Sequence, residues 1–220
     1  MIKFQNLYKT FPNGTIGLQG CSGIIEDTGI HLIMGRSGAG KTTLLQILAM
    51  LDTYDTGELT INDLIVANMS ENKKALTRRS LFGFVFQSAF LQEQLTALEN
   101  VMLPLLAQEK LSMEKMIKRS TSLLQMVGME KRLTHYPKQL SGGEQQRVAI
   151  ARAMANDPAY IFADEPTSNL DEENAMHILE LFRDFSKTRA IILVSHDSIT
   201  EGYADICFDM KDGMIKRRLL

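Results

Sequence analysis

One eight-residue run constrains this chain more than anything else in it: Gly35-Arg36-Ser37-Gly38-Ala39-Gly40-Lys41-Thr42. It fits G-x-x-x-x-G-K-[ST]. The short apolar run Ile30-His31-Leu32-Ile33-Met34 precedes it, and a stretch with helical spacing (Leu44, Leu45, Leu48) follows. Strand, glycine-rich loop and helix in that order form half of a parallel βαβ unit. Each part has a physical task. Glycines let backbone N–H groups curl around phosphate oxygens with no Cβ in the way, and the following helix turns the positive end of its dipole toward them. Lys41 is placed to reach β- and γ-phosphates, with the Thr42 hydroxyl on Mg²⁺. Glycine is about 7% of average sequence, so a chance match in a chain of this length is on the order of one in a hundred. The alternative is a flexible strand–helix turn, which explains neither the lysine nor the strand–loop–helix context.

A second signal fits the first. Tyr160-Ile161-Phe162-Ala163-Asp164-Glu165 is an apolar strand ending in two carboxylates. At the C-terminal end of a parallel strand such a carboxylate lies beside a phosphate loop. Asp164 there suits Mg²⁺, and Glu165, one residue further out, suits general-base or water-positioning work. Alone, this is a solvated strand end. Leu81 to Phe86 and Ile191 to Val194 are further continuous apolar runs, as expected of a parallel sheet covered on both faces.

Around this core the texture changes. Ile2, Phe4 and Asn6 alternate as in a strand, and Asn13-Gly14 is a hairpin signal. Residues 88 to 140 carry helical spacing over Leu98 to Gln108 and Met113 to Val127 with no strand between, which predicts a helical insertion. Another helical stretch spans Glu144 to Ala155, and a hairpin turns at Asp212-Gly213. The expectation is one domain over residues 1–220, with an α/β core from 1–87 and 141–220 and a helical subdomain from 88–140. The charges nearly cancel, 24 Lys plus Arg against 26 Asp plus Glu, and no long block of one sign occurs. Neither a nucleic-acid arm nor an acidic tail is indicated. Cys21 and Cys207 lie in apolar stretches, as buried reduced thiols would, and no apolar run approaches the ~18 residues that span a bilayer.

Leu140-Ser141-Gly142-Gly143-Glu144-Gln145-Gln146 discriminates further. A serine and two glycines opening a helix make a second anion site, or an ordinary Ser N-cap with loop glycines. One nucleotide already has its phosphates held by the first loop, so a second site suggests a pocket shared between two subunits.

With these residues in view, the chain resembles the nucleotide-binding subunits of ATP-binding cassette (ABC) transporters along essentially its whole length. The resemblance implies an α/β fold: a P-loop NTPase core, an inserted helical subdomain and an N-terminal antiparallel β part. It implies ATP and Mg²⁺ as ligands, held by Gly35 to Lys41, Thr42 and Thr43. The stretch from Ser141 through Gly142 and Gly143 to Glu144 looks like the family signature. Gln87 matches the glutamine that touches Mg²⁺ and the attacking water, Asp171 closes the D-loop Ser168-Asn169-Leu170-Asp171, and His196 matches the switch histidine. Phe11 stands where the family places a ring against adenine. Taken one at a time, Asp171 reads as a helix N-cap, His196 as a loop residue and Phe11 as core.

Within the family, Gly83-Phe84-Val85-Phe86-Gln87 and Leu95 to Val101 look most like the lipoprotein-release and macrolide-export (LolD/MacB-type) group. The segment Leu51 to Gly57 lacks that group's usual proline, Asn62-Asp63 replaces a usual Asn-Gly turn, and Ser168 stands where glycine is common. The resemblance implies an ATPase whose two copies pair head to tail around two MgATP, with Lys41, Glu165 and His196 as catalytic residues. It further implies a separate permease contacted near Ser88–Leu103, no nucleic acid, and a place at the cytoplasmic face of the cell membrane as a peripheral subunit. A signalling ATPase that gates an envelope hydrolase through a membrane partner (FtsE-type) is the alternative role.

Overall fold

The computed structural model describes residues 1–107 and 111–218. Two sheets share the work. Strands β1 (Ile2–Thr10), β2 (Ile16–Ile25), β4 (Thr56–Ile61) and β5 (Leu64–Ile65) form an antiparallel sheet in the order β2-β1-β4-β5. Strands β3 (Gly29–Met34), β6 (Phe82–Val85), β7 (Tyr160–Asp164), β8 (Ala190–Ser195), β9 (Ile206–Lys211) and β10 (Met214–Arg218) form the other, in the order β10-β9-β3-β8-β7-β6. All its pairings are parallel except the terminal β9–β10 hairpin. This is the expected mixed α/β architecture.

Alternate residues of the parallel strands enter two different cores, which is why those strands read as unbroken apolar runs. Ile30, Leu32, Ile161, Ala163, Ile191 and Leu193 face one cluster, shared with helices α3 (Ala97–Met102), α4 (Met113–Met126), α5 (Gly142–Ala153) and α6 (Glu172–Ser186). Ile33, Tyr160, Phe162, Ile192 and Val194 face the other, shared with helix α1 (Lys41–Leu48) and the antiparallel sheet. Both cysteines are free and buried.

Two readings change. The expected helix from Leu98 to Gln108 ends at Met102 and tightens into a 3₁₀ turn at Leu103–Ala107. Pro104 has no N–H to donate to the carbonyl four residues back, so the α ladder stops beside it. Gln108, the end of that expected helix, lies outside the described residues. Helix α2 (Glu71–Leu81) carries no apolar stripe to announce it: Thr77 is its one buried residue. Its local signals are the Ser70 N-cap and arginines in the last turn.

Candidate functional site

The parallel register brings the separate motifs to one edge. Met34 pairs with Ser195, Val194 with Asp164, and Ala163 with Val85. Strands β3, β8, β7 and β6 therefore end within two residues of one another, and a candidate residue stands within two residues of each end. The phosphate loop follows β3, His196 follows β8, Glu165 follows β7, and Gln87 stands two residues after β6. The C-terminal edge of a parallel sheet is where such folds bind ligands.

The loop itself is shaped by contacts a side chain would block. Gly40 has φ 101° and lies so close to the Gly17 carbonyl of β2 that a Cβ there would collide with it. Gly35 is packed in the same way against the Met210 carbonyl of β9. The loop is thus clamped between the antiparallel sheet and the β9 end of the parallel one. Phe11 packs over the Gly17 position beside the Thr43 methyl, with the Lys9 ammonium 5.5 Å from its ring centre. Lys41, only 6% exposed, curls its ammonium back onto the carbonyls of Gly35 (2.8 Å) and Arg36 (3.2 Å). Helix α1 begins at Gly40 with no side-chain cap and no acidic residue in its first turn, so its N-terminal N–H groups have no carboxylate competing for them.

Across from the loop, Thr42 donates its hydroxyl proton to Asp164 Oδ1 at 3.2 Å. Burial pushes the Asp164 carboxyl above its ordinary range, and the neighbouring Glu165 charge adds to this; the Thr42 hydrogen bond and Lys41 oppose it. A half-buried carboxylate paired with a hydroxyl is a hard oxygen donor set, and burial of this kind is relieved by a small divalent cation. These residues fit Mg²⁺.

Glu165 continues the β7–β8 ladder by one bond, its N–H donating to the Val194 carbonyl (2.9 Å), and then turns into the left-handed region at φ 45°. Ser168 ties that turn, donating its hydroxyl to the Glu165 carbonyl at 3.0 Å. The carboxylate meets His196 Nδ1 at 3.0 Å. Glu165 and His196 line a cleft of about 490 Å³ with Ser168, Ser195 and Asp197.

Gln87 is held through its backbone. Asn169 reaches its carbonyl (3.4 Å), and the buried Gln146 of α5 donates to the Phe86 carbonyl (2.9 Å). Both lie in stretches the sequence singles out, Gln146 at the end of Leu140–Gln146 and Asn169 within Ser168–Asp171, but their hold on the backbone at Phe86 and Gln87 has no local signal.

The residues from Ser141 to Glu144 form a hydrogen-bonded group of their own. Ser141 Oγ accepts from the Glu144 N–H (3.3 Å), Glu144 Oε2 accepts from the Ser141 N–H (2.9 Å), and Arg132 grips the other Glu144 oxygen (2.9 Å). Gly143 packs against Asn174, whose Oδ1 would sit 2.5 Å from a Cβ, and Asn174 is in turn bonded to Asp171, the N-cap of α6. Among the described residues, no hydrogen bond links Ser141–Glu144 to the phosphate loop.

Comparison with known proteins agrees with this arrangement. A family model described as ABC transporter matches residues 18–168. An ABC transporter ATP-binding protein of Methanocaldococcus jannaschii, otherwise uncharacterized, is 46% identical over 219 residues, covering 98% of this chain and 97% of that one. The lipoprotein-releasing system ATP-binding protein LolD of Cytophaga hutchinsonii is 40% identical over 218 residues, with 98% of each chain covered. Among solved structures, the dimeric post-hydrolysis state of an ATP-binding cassette bound to ADP and Pi superimposes over 100% of both chains, with a TM-score of 0.91 and 36% identity. With its loop, paired carboxylates and helical N-termini so placed, the chain belongs to the ABC transporter family, as an ATP-binding ATPase subunit resembling the LolD/MacB-type group.

Proposed function

We propose that two copies of this chain close head to tail around two ATP molecules and drive a separate membrane permease of the export or lipoprotein-extrusion type. The observation that carries the reading is the shared C-terminal edge of β3, β8, β7 and β6, which gathers Lys41, His196, Glu165 and Gln87 while, among the described residues, Ser141 makes no hydrogen bond to them. A second copy is what supplies Ser141 to that edge. We take residues 88–140 as the helical subdomain and the remainder as the ATPase core. No described helix is long and apolar enough to cross a membrane. The likeness to LolD, an ATP-binding protein matched over 98% of its own length, supports a permease on another polypeptide and this chain as a peripheral subunit on the membrane's cytoplasmic face.

Phosphoryl transfer to water asks the protein for positioning and charge, with little covalent chemistry. Residues 35–43 wrap the phosphates with N–H groups, and Lys41 exchanges the Gly35 and Arg36 carbonyls for β- and γ-phosphate oxygens. Phe11 offers its ring to the base. Thr42, Asp164 and Gln87 would hold Mg²⁺, which when bound supplies positive charge against the phosphates. Glu165 orients the attacking water and draws its proton, and His196 keeps the carboxylate oriented and lies against the same oxygen shell. From the partner copy, Ser141 and the Gly142 and Gly143 amides close on the γ-phosphate, with Glu144 and Asp171 ordering that helix start.

Glu165→Gln keeps shape and hydrogen bonding but removes the base, so ATP persists and dimer accumulates. Size-exclusion chromatography with light scattering on this variant should give dimer with ATP and monomer with ADP. Equal dimer fractions under both nucleotides sink the reading. The permease contact is expected on Ser88–Leu103, joined directly to Gln87. Cross-links from Gln94 should reach a membrane protein, and links mapping only to the antiparallel sheet argue against it.

A further inference from the structure

Phe90 combines two properties that seldom occur together. Its backbone lies in the left-handed region, φ 44°, where a bulky side chain is disfavoured. Its side chain is also 67% exposed, so burial of the ring does not compensate for that strain. The neighbouring chain is braced at every step. Arg152 of α5 donates through one guanidinium nitrogen to the Phe90 carbonyl and through the other to the Ala89 carbonyl, both at 2.7 Å. Gln146 holds the Phe86 carbonyl before this pair, and the buried Asn100 exchanges hydrogen bonds with the Gln92 backbone after it. The Phe90 ring meets Phe86 edge-on at 5.8 Å, and Phe86 stacks on Phe84 at 6.1 Å.

Phe84 and Phe86 form a wall of a cleft of about 370 Å³. Arg78, Arg79 and Arg152 also line it, and among the described residues no carboxylate does. An exposed aromatic ring, held in a strained conformation beside an apolar, cationic cleft, has the character of a binding anchor fixed before the partner arrives.

We propose that Phe90 is a preset anchor for the membrane partner, and that Arg152 is the positioning residue that fixes it. The partner segment that fits is an apolar socket for the ring, flanked by a carboxylate that faces the arginines. This rests on the permease reading above. It adds a specific ring, the guanidinium that aims it and the partner's chemistry. Because Arg152 rides on the helix that Ser141 opens, movement of that helix start on nucleotide closure carries the anchor with it.

The test uses the full chain with a photo-crosslinking residue at the exposed Gln94, expressed in its native membrane. Phe90→Ala should lower capture of the membrane protein at least tenfold and Phe90→Leu far less. Arg152→Lys keeps the charge but not the two-carbonyl grip, and should lower capture severalfold. Adding Arg152→Lys to Phe90→Ala should produce no further loss, because the arginine acts through the ring. Basal ATP hydrolysis and melting of the isolated Phe90 variants should match the parent, which a merely structural role would not leave untouched. Unchanged capture in Phe90→Ala overturns the proposal while leaving the permease reading standing, and so does an Arg152→Lys loss that adds fully to that of Phe90→Ala. If the parent chain itself captures no membrane protein, the permease contact and the anchor fall together.

Discussion

Two helices of this chain begin at glycine-rich loops, and they begin in opposite ways. Helix α1 starts at Gly40 with no side-chain cap and no acid in its first turn, whereas α5 starts at Ser141 with a complete capping box to Glu144. A helix leaves its first N–H groups without intrahelical partners, and these two ends dispose of them differently. The α1 end keeps them open, framed by Lys41, so that an incoming phosphate completes the structure. The α5 end satisfies them internally, and Arg132 neutralises the capping carboxylate. An anion therefore meets the α1 N–H groups without displacing a side-chain cap, while at α5 the Ser141 hydroxyl must turn away from the Glu144 N–H. The difference makes the first loop the primary binding element and the second a latch that engages only what the first already holds.

The largest expected effect lies at the open end. Lys41→Ala removes the charge facing the β- and γ-phosphates and should cut ATP hydrolysis by at least about 100-fold, with nucleotide binding greatly weakened. Near-parental turnover would place the site elsewhere. At the latch, Ser141→Arg should leave ATP binding by the monomer within about threefold while abolishing the ATP-dependent dimer and lowering hydrolysis roughly tenfold or more, because the new side chain crowds the facing γ-phosphate. Equilibrium binding of a fluorescent ATP analogue, set beside light scattering, separates the two. Loss of monomer binding would mean the two ends are not independent.

A smaller effect sharpens the same contrast. Glu144→Ala breaks the capping box and should destabilise the fold by about 1 kcal/mol, which lowers the melting temperature by about 2–4 °C in a domain of this size. No comparable cap exists at α1 to remove. The smallest effect is a pH dependence. The Ser141 N–H first, and then Arg132, hold the Glu144 carboxyl below its ordinary 4.5. A depressed carboxyl contributes stability that is complete above the ordinary value and is lost as pH falls through the depressed one. Glu144→Gln should therefore show less acid destabilisation below about pH 4.5 than the parent, with the two curves parallel above it. Identical acid limbs would mean the box is not maintained in solution.

Legibility in the sequence followed the range of the interactions. The phosphate loop was readable because its chemistry is local: Lys41 bonds carbonyls five and six residues back. The parallel strands were readable because both faces are buried. Helix α2 was not, since with Thr77 its one buried residue the polar run from Glu71 carries no apolar period. Strand β4 also escaped notice: only Leu59 and Ile61 of its six residues are buried, so the alternation is confined to one end. Phe90, within Ser88–Leu103, has no local signal that separates core from surface. Its backbone carbonyl is held by an arginine 62 residues away.

The sequence by itself determined that an anion-binding strand–loop–helix would form at Gly35–Thr42, that two carboxylates would end a buried strand at Asp164–Glu165, and that Ser141 would open a helix. Each of these depends on glycine sterics, caps or burial within a few residues. Only the tertiary structure decided that Asp164 meets Thr42 across 122 positions and that Glu165 meets His196. Those meetings are fixed by the strand order β3-β8-β7-β6, and the pairing of parallel strands is written in no single segment, because each apolar run could pair with any other until the whole sheet and both its cores are closed.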